Sequence, residues 1–415
     1  MTRPTRILLS AFACDPVFGS DEEVGWQWAR QLALCGYDVH VLTRRSHQEE
    51  IERAVARMPE MAAVKFHYVD MDRLHGVLKH VNRRNHLYYY FWQWQAYQRA
   101  RALNAAAPFD LVHHVTWVSF RQPSFMGRLG IPFYFGPVAG GDEIPPGYAR
   151  NWALKQRIVE AVRGLVNRLV RYDPMMRMTF RQAERVFVTS SGHLPRLPAE
   201  AAAKARVELA IGMDELVQVP AVPRGADAAR GQRLLFVGRC IALKGMDLGL
   251  QIFARMRARA PDLTLTIVGD GADRARWMHS AAALGVAEAI DWRGWMSKDA
   301  VQQMYPDFDL LFNPSLRDSG GFVVMEALCA GLPVACFKLG GPGVVVDDSC
   351  GVAVEACVDQ EATAERYANA ALAVLERSRR DPALAQACRD RVQAFTWRAL
   401  IQRIYGGLRT QPGAA

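Results

Sequence analysis

The chain has 415 residues and a formal charge of +9; half of its residues are hydrophobic and 22% are charged. That length exceeds one ordinary core and suits two domains, while the apolar content excludes an intrinsically disordered chain. No uncharged apolar run is long enough for a membrane-spanning helix, and the basic balance attracts phosphates, anionic lipid head groups or nucleic acid without choosing among them.

Arg3 and Arg6 precede Ile7-Leu8-Leu9, as in a signal peptide, but the apolar run breaks at Cys14-Asp15-Pro16. A first core strand, Arg6 to Phe12, is the reading adopted, and a cytoplasmic location is expected. A loop containing Gly19-Ser20 follows, then a helix from Val24 to Cys35 that stops at Gly36, a common helix terminator. Further strands are predicted at Tyr37–Leu42, Val64–Val69, Leu111–Val115 and Pro132–Phe135. Arg150 to about Arg185 has a helical pattern, and Val186–Thr189 reads as the last strand of this half. Pro, Gly, Ala and Arg dominate from about Pro220 to Gly231, the predicted linker. The alternation then restarts, with strands at Leu234–Val237, Leu263–Val268, Ile290–Trp292, Asp309–Phe312, Pro333–Phe337 and Val352–Val354. Helices lie between them at Met246–Ala260, Ala272–Leu284, Ser297–Met304 and Phe322–Ala330. A helical stretch from Glu361 to Leu408, broken at Asp381-Pro382, closes the chain. Strands alternating with helices imply two doubly wound α/β domains, with ligands at the carboxyl ends of the strands. The eight cysteines show no C-x-x-C pair and no zinc spacing, so reduced, buried thiols are expected.

Two clusters carry chemistry. In Val237-Gly238-Arg239-Cys240-Ile241-Ala242-Leu243-Lys244-Gly245 a strand ends at Gly238 and presents Arg239 and Lys244. A guanidinium and an ammonium after a strand suit a diphosphate; two solvated surface cations would give the same sequence. In Asn313 to Phe322 a strand runs into a loop with Gly320-Gly321 and a helix starts, so free backbone N–H groups offer an anion site. Glu326 lies on that otherwise apolar helix, where a carboxylate needs a partner. Ribose hydroxyls, a neighbouring arginine or water would serve.

Gly238-Arg239 with Lys244-Gly245, then Val268-Gly269-Asp270-Gly271, then Asp318 and Glu326, then Ala330-Gly331-Leu332-Pro333-Val334, together resemble glycosyltransferase family 4. The match is close over Leu234 to Val354 and covers the N-terminal half in outline. The resemblance implies the GT-B architecture: two Rossmann-like doubly wound domains facing each other across a cleft. It places the acceptor-binding domain at residues 1–220 and the donor-binding domain at 232–395, with a helix and tail at 396–415 crossing back. It implies a retaining hexosyltransferase with a nucleotide-sugar donor, UDP- or GDP-linked, and needing neither metal nor cofactor. Polysaccharide or glycolipid assembly is the expected role. Arg239 and Lys244 would bind the donor diphosphate and stabilise the leaving group, Glu326 would hold the ribose, and Gly320, Gly321 and Phe322 would offer backbone contacts. Asp318 stands where the family has Glu and would face the donor sugar with a side chain one methylene shorter. Gly19 and Ser20 match the family's glycine loop against the diphosphate; a plain turn is the other reading. Phe109 to Trp117 resembles the segment that carries the family's active-site histidine, but Val115 occupies that position. His114 and then His113 are taken as replacements, only one of which can face a cleft from a regular strand. One core and one surface histidine is the alternative. Gly140, Gly141 and Asp142 follow another strand and would touch the acceptor.

The acceptor is expected to be a sugar or a lipid-linked sugar. Asn151–Arg171 sets Trp152, Ile158, Val162, Leu165, Val166 and Leu169 near one helical face among cations, and His80–Arg101 mixes aromatics with arginines. Both patterns fit peripheral contact with an anionic membrane on the inner face of the cell, and both also fit helices packed on a sheet. Competing functions are a nucleotide-sugar epimerase on the same architecture and a nucleic-acid or polyphosphate binder. The latter has no recognised motif, so no nucleic-acid partner is expected. A nicotinamide oxidoreductase lacks G-x-G-x-x-G after the first strand of either half.

Overall fold

A computed structural model of the chain describes residues 3–17, 22–69, 86–214 and 232–410. The chain forms two compact units. The first comprises residues 1–141, 163–212 and 397–415, and the second residues 142–162 and 213–396.

In the first unit the strands are β1 (Arg6–Ala11), β2 (Asp38–Arg44), β3 (Lys65–Val69), β4 (Leu111–Thr116), β5 (Phe133–Val138), β6 (Arg185–Val188) and β7 (Ala205–Val207). They form one sheet in the order β3-β2-β1-β4-β5-β6-β7, and every pairing is parallel. Covering helices bury both faces of a parallel sheet, and β4 and β5 are buried at every position. The second unit holds β8 (Arg233–Val237), β9 (Thr264–Val268), β10 (Ile290–Gly294), β11 (Leu310–Asn313), β12 (Val334–Phe337) and β13 (Gly351–Val354). Its parallel order is β10-β9-β8-β11-β12-β13. Counted within each unit, both sheets share 3-2-1-4-5-6, the doubly wound order, to which the first adds a seventh strand at its edge. The order of strand addition reverses between β1 and β4 in one and between β8 and β11 in the other.

Three sequence expectations change. β6 is not the last strand of its half, because Ala205–Val207 adds an edge strand too short and too alanine-rich to read as one. The helical stretch after Arg150 splits into Leu154–Leu169 and Pro174–Gln182, with Asp173 capping the second through the N–H groups of Met175 and Met176. Residues 142–162 belong to the second unit rather than to the N-terminal domain. Tyr148 and Trp152 are buried in that unit's core, the Tyr148 hydroxyl donates to the Cys357 carbonyl at 2.8 Å, and Gln360 donates to the Gly147 carbonyl at 2.9 Å. At the other end of the chain, Trp397–Tyr405 lies in the first unit, where Trp397 and Tyr405 pack edge-on against Trp28. The predicted linker and the loop residues Gly19 and Ser20 lie outside the described residues.

Candidate active site

Where strand order reverses, the two loops leaving neighbouring strands diverge and open a crevice at their carboxyl ends. In the second unit these are the loops after β8 and β11, the two segments that carry both chemical clusters. They are stitched together. Leu316 N–H donates to the Leu243 carbonyl at 3.0 Å. Gly245 has φ +67°, and a Cβ there would fall 2.0 Å from the Pro314 carbonyl oxygen, so no other residue fits the backbone crossing.

This stitching brings Lys244 to Asp318. Lys244 Nζ lies 2.7 Å from Asp318 Oδ2. Asp318 Oδ1 accepts from the backbone N–H groups of Gly320 and Gly321 at 3.2 and 3.0 Å. Burial works to raise the Asp318 pKa, but the Lys244 charge and the two backbone donors outweigh it and hold the carboxyl below its usual range. The Asp318 carbonyl accepts from Gly341 N–H at 2.7 Å, and a Cβ at Gly340 (φ +56°) would lie 2.1 Å from that same oxygen. Asp318 thus ties the loops after β8, β11 and β12 together.

The backbone expectation for Gly320 and Gly321 therefore changes. Their N–H groups, read as open to phosphate or sugar, are taken by the chain's own carboxylate. A short Asp just before a helix can fold back on the first N–H groups, and this one neutralises the helix start. Phe322, the first helical residue, is exposed.

Glu326 stands one turn farther along the helix Phe322–Cys329. The Tyr305 hydroxyl donates to its Oε2 at 3.1 Å, and Lys298 Nζ lies 3.8 Å from Oε1. Burial raises the Glu326 pKa despite these two partners. Glu326 stands out in the sequence, whereas Tyr305 and Lys298 do not. They share the segment leading to β11 and carry no local signal, because only the fold sets them beside the next helix. Arg239 is exposed on the loop after β8, and the Lys244 chain passes over Gly238, where a Cβ would lie 3.4 Å from Lys244 Cε.

In the first unit the two histidines of β4 face opposite sides of the sheet, as strand alternation requires, and both are fully buried. His113 Nε2 is 2.5 Å from the Gly136 carbonyl, which can only accept, so Nε2 carries the proton. Nδ1 then accepts from the Tyr405 hydroxyl. Burial lowers the His113 pKa to about 3. With both nitrogens engaged inside the core, His113 is a packing residue, and its expected place as second candidate for the active site is withdrawn. His114 lies on the other side, 3.3 Å from the Tyr89 hydroxyl, which also accepts from Gln93. Burial lowers its pKa to about 3 against a bond to the Trp117 backbone. It is a neutral imidazole at physiological pH.

Gly140 and Gly141 are also engaged internally. The Gly140 carbonyl accepts from Arg163 at 2.8 Å and from Asn167 at 3.3 Å, and Gly141 N–H donates to His193 Nε2 at 2.9 Å. Asp142 is buried and falls in the second unit. A group the sequence reading did not single out stands beyond β1 and β2. His47 Nδ1 donates to Asp15 at 3.1 Å, and Arg44 donates to His47 Nε2 at 2.6 Å and to Glu22 at 2.7 Å. Burial and the Arg44 charge lower the His47 pKa. Asp15 and Glu22 also join through the backbone at 2.8 Å, tying the two ends of the Gly19-Ser20 loop.

The comparisons agree on a family. The glycosyl transferases group 1 model matches residues 227–383, which lie wholly within the second unit. A D-inositol 3-phosphate glycosyltransferase of Stackebrandtia nassauensis is 25% identical over 89% of this chain and 82% of its own. Among solved structures, the lipopolysaccharide outer core galactosyltransferase WaaB superposes with a TM-score of 0.65 at 12% identity, over 98% of this chain and 99% of WaaB. Anabaena Alr3699/HepE in complex with UDP gives 0.59 at 15% identity, over 98% of this chain and 100% of HepE. The fold is GT-B, and the matched domain and the relatives support a glycosyltransferase of the family 4 type, a hexosyltransferase.

Proposed function

We propose that the chain moves a hexosyl group from a UDP- or GDP-sugar to an acceptor hydroxyl, with retention of anomeric configuration, in polysaccharide or glycolipid assembly. The observation that carries this reading is the meeting of Lys244 with Asp318 at the strand-order reversal of the second unit. Asp318 fixes the ammonium beside the crevice, and Arg239 adds an exposed guanidinium on the same loop. Two positioned cations offset the charge that builds on a departing nucleoside diphosphate, work that is done elsewhere by a metal. Transfer then proceeds without a metal or cofactor. Glu326, with Tyr305 and Lys298 around it, accepts from the ribose hydroxyls. His114 is neutral and buried, with the Tyr89 hydroxyl and the Trp117 backbone as its partners, and is assigned no contact with substrate. The UDP complex of HepE supports a nucleotide donor. The relatives named for D-inositol 3-phosphate support a polar acceptor that carries phosphate.

The test is a thermal-shift screen against UDP-, GDP- and ADP-sugars, followed by NMR of the product formed with the donor that stabilises the chain. A raised melting temperature with one donor and a product of retained configuration are expected. No shift with any donor, or an inverted product, would sink the proposal. Release of nucleoside diphosphate only in the presence of acceptor separates transfer from epimerisation.

A further inference from the structure

The helix Leu154–Leu169 is turned inside out. On an ordinary surface helix the apolar stripe faces the core and the polar stripe faces water. Here the polar side chains are the bonded ones, Glu160 within the second unit and Arg163 and Asn167 within the first. Glu160 grips Arg317 with two bonds, at 2.5 and 2.8 Å. Arg163 and Asn167 both donate to the Gly140 carbonyl, and Arg121 donates to Asn167 at 3.4 Å. Leu154, Ile158, Val162, Leu165 and Leu169, at spacings that share one helical face, point outward. With Val159 and Val166 beside them they are 42–68% exposed. Tyr172 and Met175 continue the apolar surface just beyond the helix.

The charges around this stripe have one sign. Lys155, Arg157 and Arg168 are exposed on the helix and Arg171 just after it. The helix's one acid, Glu160, is the residue drawn inward. Asp173, between Tyr172 and Met175, accepts from the Met175 and Met176 N–H groups, and an apolar stripe whose own exposed charges are cations matches a surface that is apolar beneath and anionic on top. We propose that the Leu154–Leu169 helix docks this enzyme on an anionic lipid bilayer, lying in the plane of the interface with its apolar face down. A second copy of the chain fits less well, since a two-fold pairing would set these cations against their own counterparts. The second segment expected to touch a membrane, His80–Arg101, does not share the geometry. Its described helix buries Tyr89, Trp92, Ala96 and Ala100 in the core of the first unit, and residues 80–85 lie outside the described residues.

The proposal is independent of the donor and the chemistry, and its test reads binding alone. The full chain is sedimented with vesicles of phosphatidylcholine, with and without phosphatidylglycerol, across a salt series. Binding to the phosphatidylglycerol vesicles is expected, weakening as salt rises. Ile158→Glu with Leu165→Glu should reduce partitioning by about tenfold or more. Arg157→Gln with Arg168→Gln should reduce it less and flatten the salt dependence. All four positions are exposed, so circular dichroism and the melting temperature should not move; if the glutamate pair did unfold the chain, the glutamine pair would still decide. Three results overturn the proposal: no binding to anionic vesicles, equal binding by both variant pairs, or a dimer in sedimentation velocity that Leu165→Glu dissociates without any vesicle binding.

Discussion

Replacing Lys244 by Met removes the ammonium that holds Asp318 and leaves the aliphatic stem in place. The two side chains are 18% and 19% exposed and their charges stand 2.7 Å apart, so water screens them only in part. Removing one partner of a buried pair costs about 3–5 kcal/mol. Two features lower that figure: the residual exposure, and the two N–H groups of Gly320 and Gly321 that still hold the carboxylate. A loss of about 2–3 kcal/mol is expected for Lys244→Met. Asp318→Asn keeps an acceptor for both N–H groups and leaves a flexible lysine able to reach water, so about 1–2 kcal/mol is expected. The double variant buries no uncompensated charge and should cost less than the sum, with a coupling of about 2 kcal/mol. Urea unfolding followed by tryptophan fluorescence reads it, since Trp277 is buried in the core of the same unit. The pH dependence follows from the depressed Asp318 pKa. The stabilisation is fully present above the unfolded carboxyl's value of about 3.9 and is lost as pH falls through the lower folded value. Costs that add within about 0.5 kcal/mol at neutral pH would refute the reasoning, because the ammonium and carboxylate would then be separately solvated.

Glu326 should behave in the opposite sense. Its pKa is raised by burial, so its ionised form costs stability as pH rises from the unfolded value through the folded one. Glu326→Gln should therefore melt higher than the parent at pH 7, with the gain vanishing below about pH 4, while donor affinity falls; a lower melting temperature at pH 7 would contradict this. Gly245→Ala should cost more than about 2 kcal/mol, because its Cβ would strike the Pro314 carbonyl. Gly285→Ala, at φ +69° with nothing within 4 Å, should cost about 1 kcal/mol from backbone strain alone; equal losses in urea unfolding would refute the steric account. Tyr405→Phe removes the donor to buried His113 and should cost about 1–3 kcal/mol without changing the KM for donor; a raised KM would return His113 to the active site. Transfer should survive chelator unchanged, and its loss on chelation would contradict the metal-free mechanism.

Much of this was legible because local chemistry and fold agree. In the second half every predicted strand is found to within a few residues, since Leu234–Val237 or Asp309–Phe312 are short apolar runs bounded by helices of clear period. The loops after β8 and β11 were legible through Gly238, Lys244 and Asp318, which together with the motifs around them carry the family resemblance. What the sequence did not yield depends on distance. Lys298 and Tyr305 reach Glu326 from another helix, Arg44 reaches Glu22 from the end of β2, and His47 reaches Asp15 from the turn after it. The placement of residues 142–162 rests on Tyr148 and Trp152 entering a core built from residues 234–375. The helix Leu154–Leu169 shows a plain amphipathic pattern, and a pattern does not say which side faces in. The bonds of Glu160 to Arg317 and of Arg163 and Asn167 to Gly140, with the apolar side chains left exposed, reveal the inversion. Asp318 was found as a carboxylate, but its use as a cap on Gly320 and Gly321 required the backbone.

The central claim is that a cation from the loop after β8 and a carboxylate on the helix after β11 serve a single nucleoside diphosphate. Calorimetric titration of UDP and GDP into the parent, Lys244→Ala and Glu326→Ala tests it most directly. The account predicts that one nucleotide binds the parent at one site and that each variant weakens it by about tenfold or more. Parent-like affinity in both variants, with their folds intact, would contradict it.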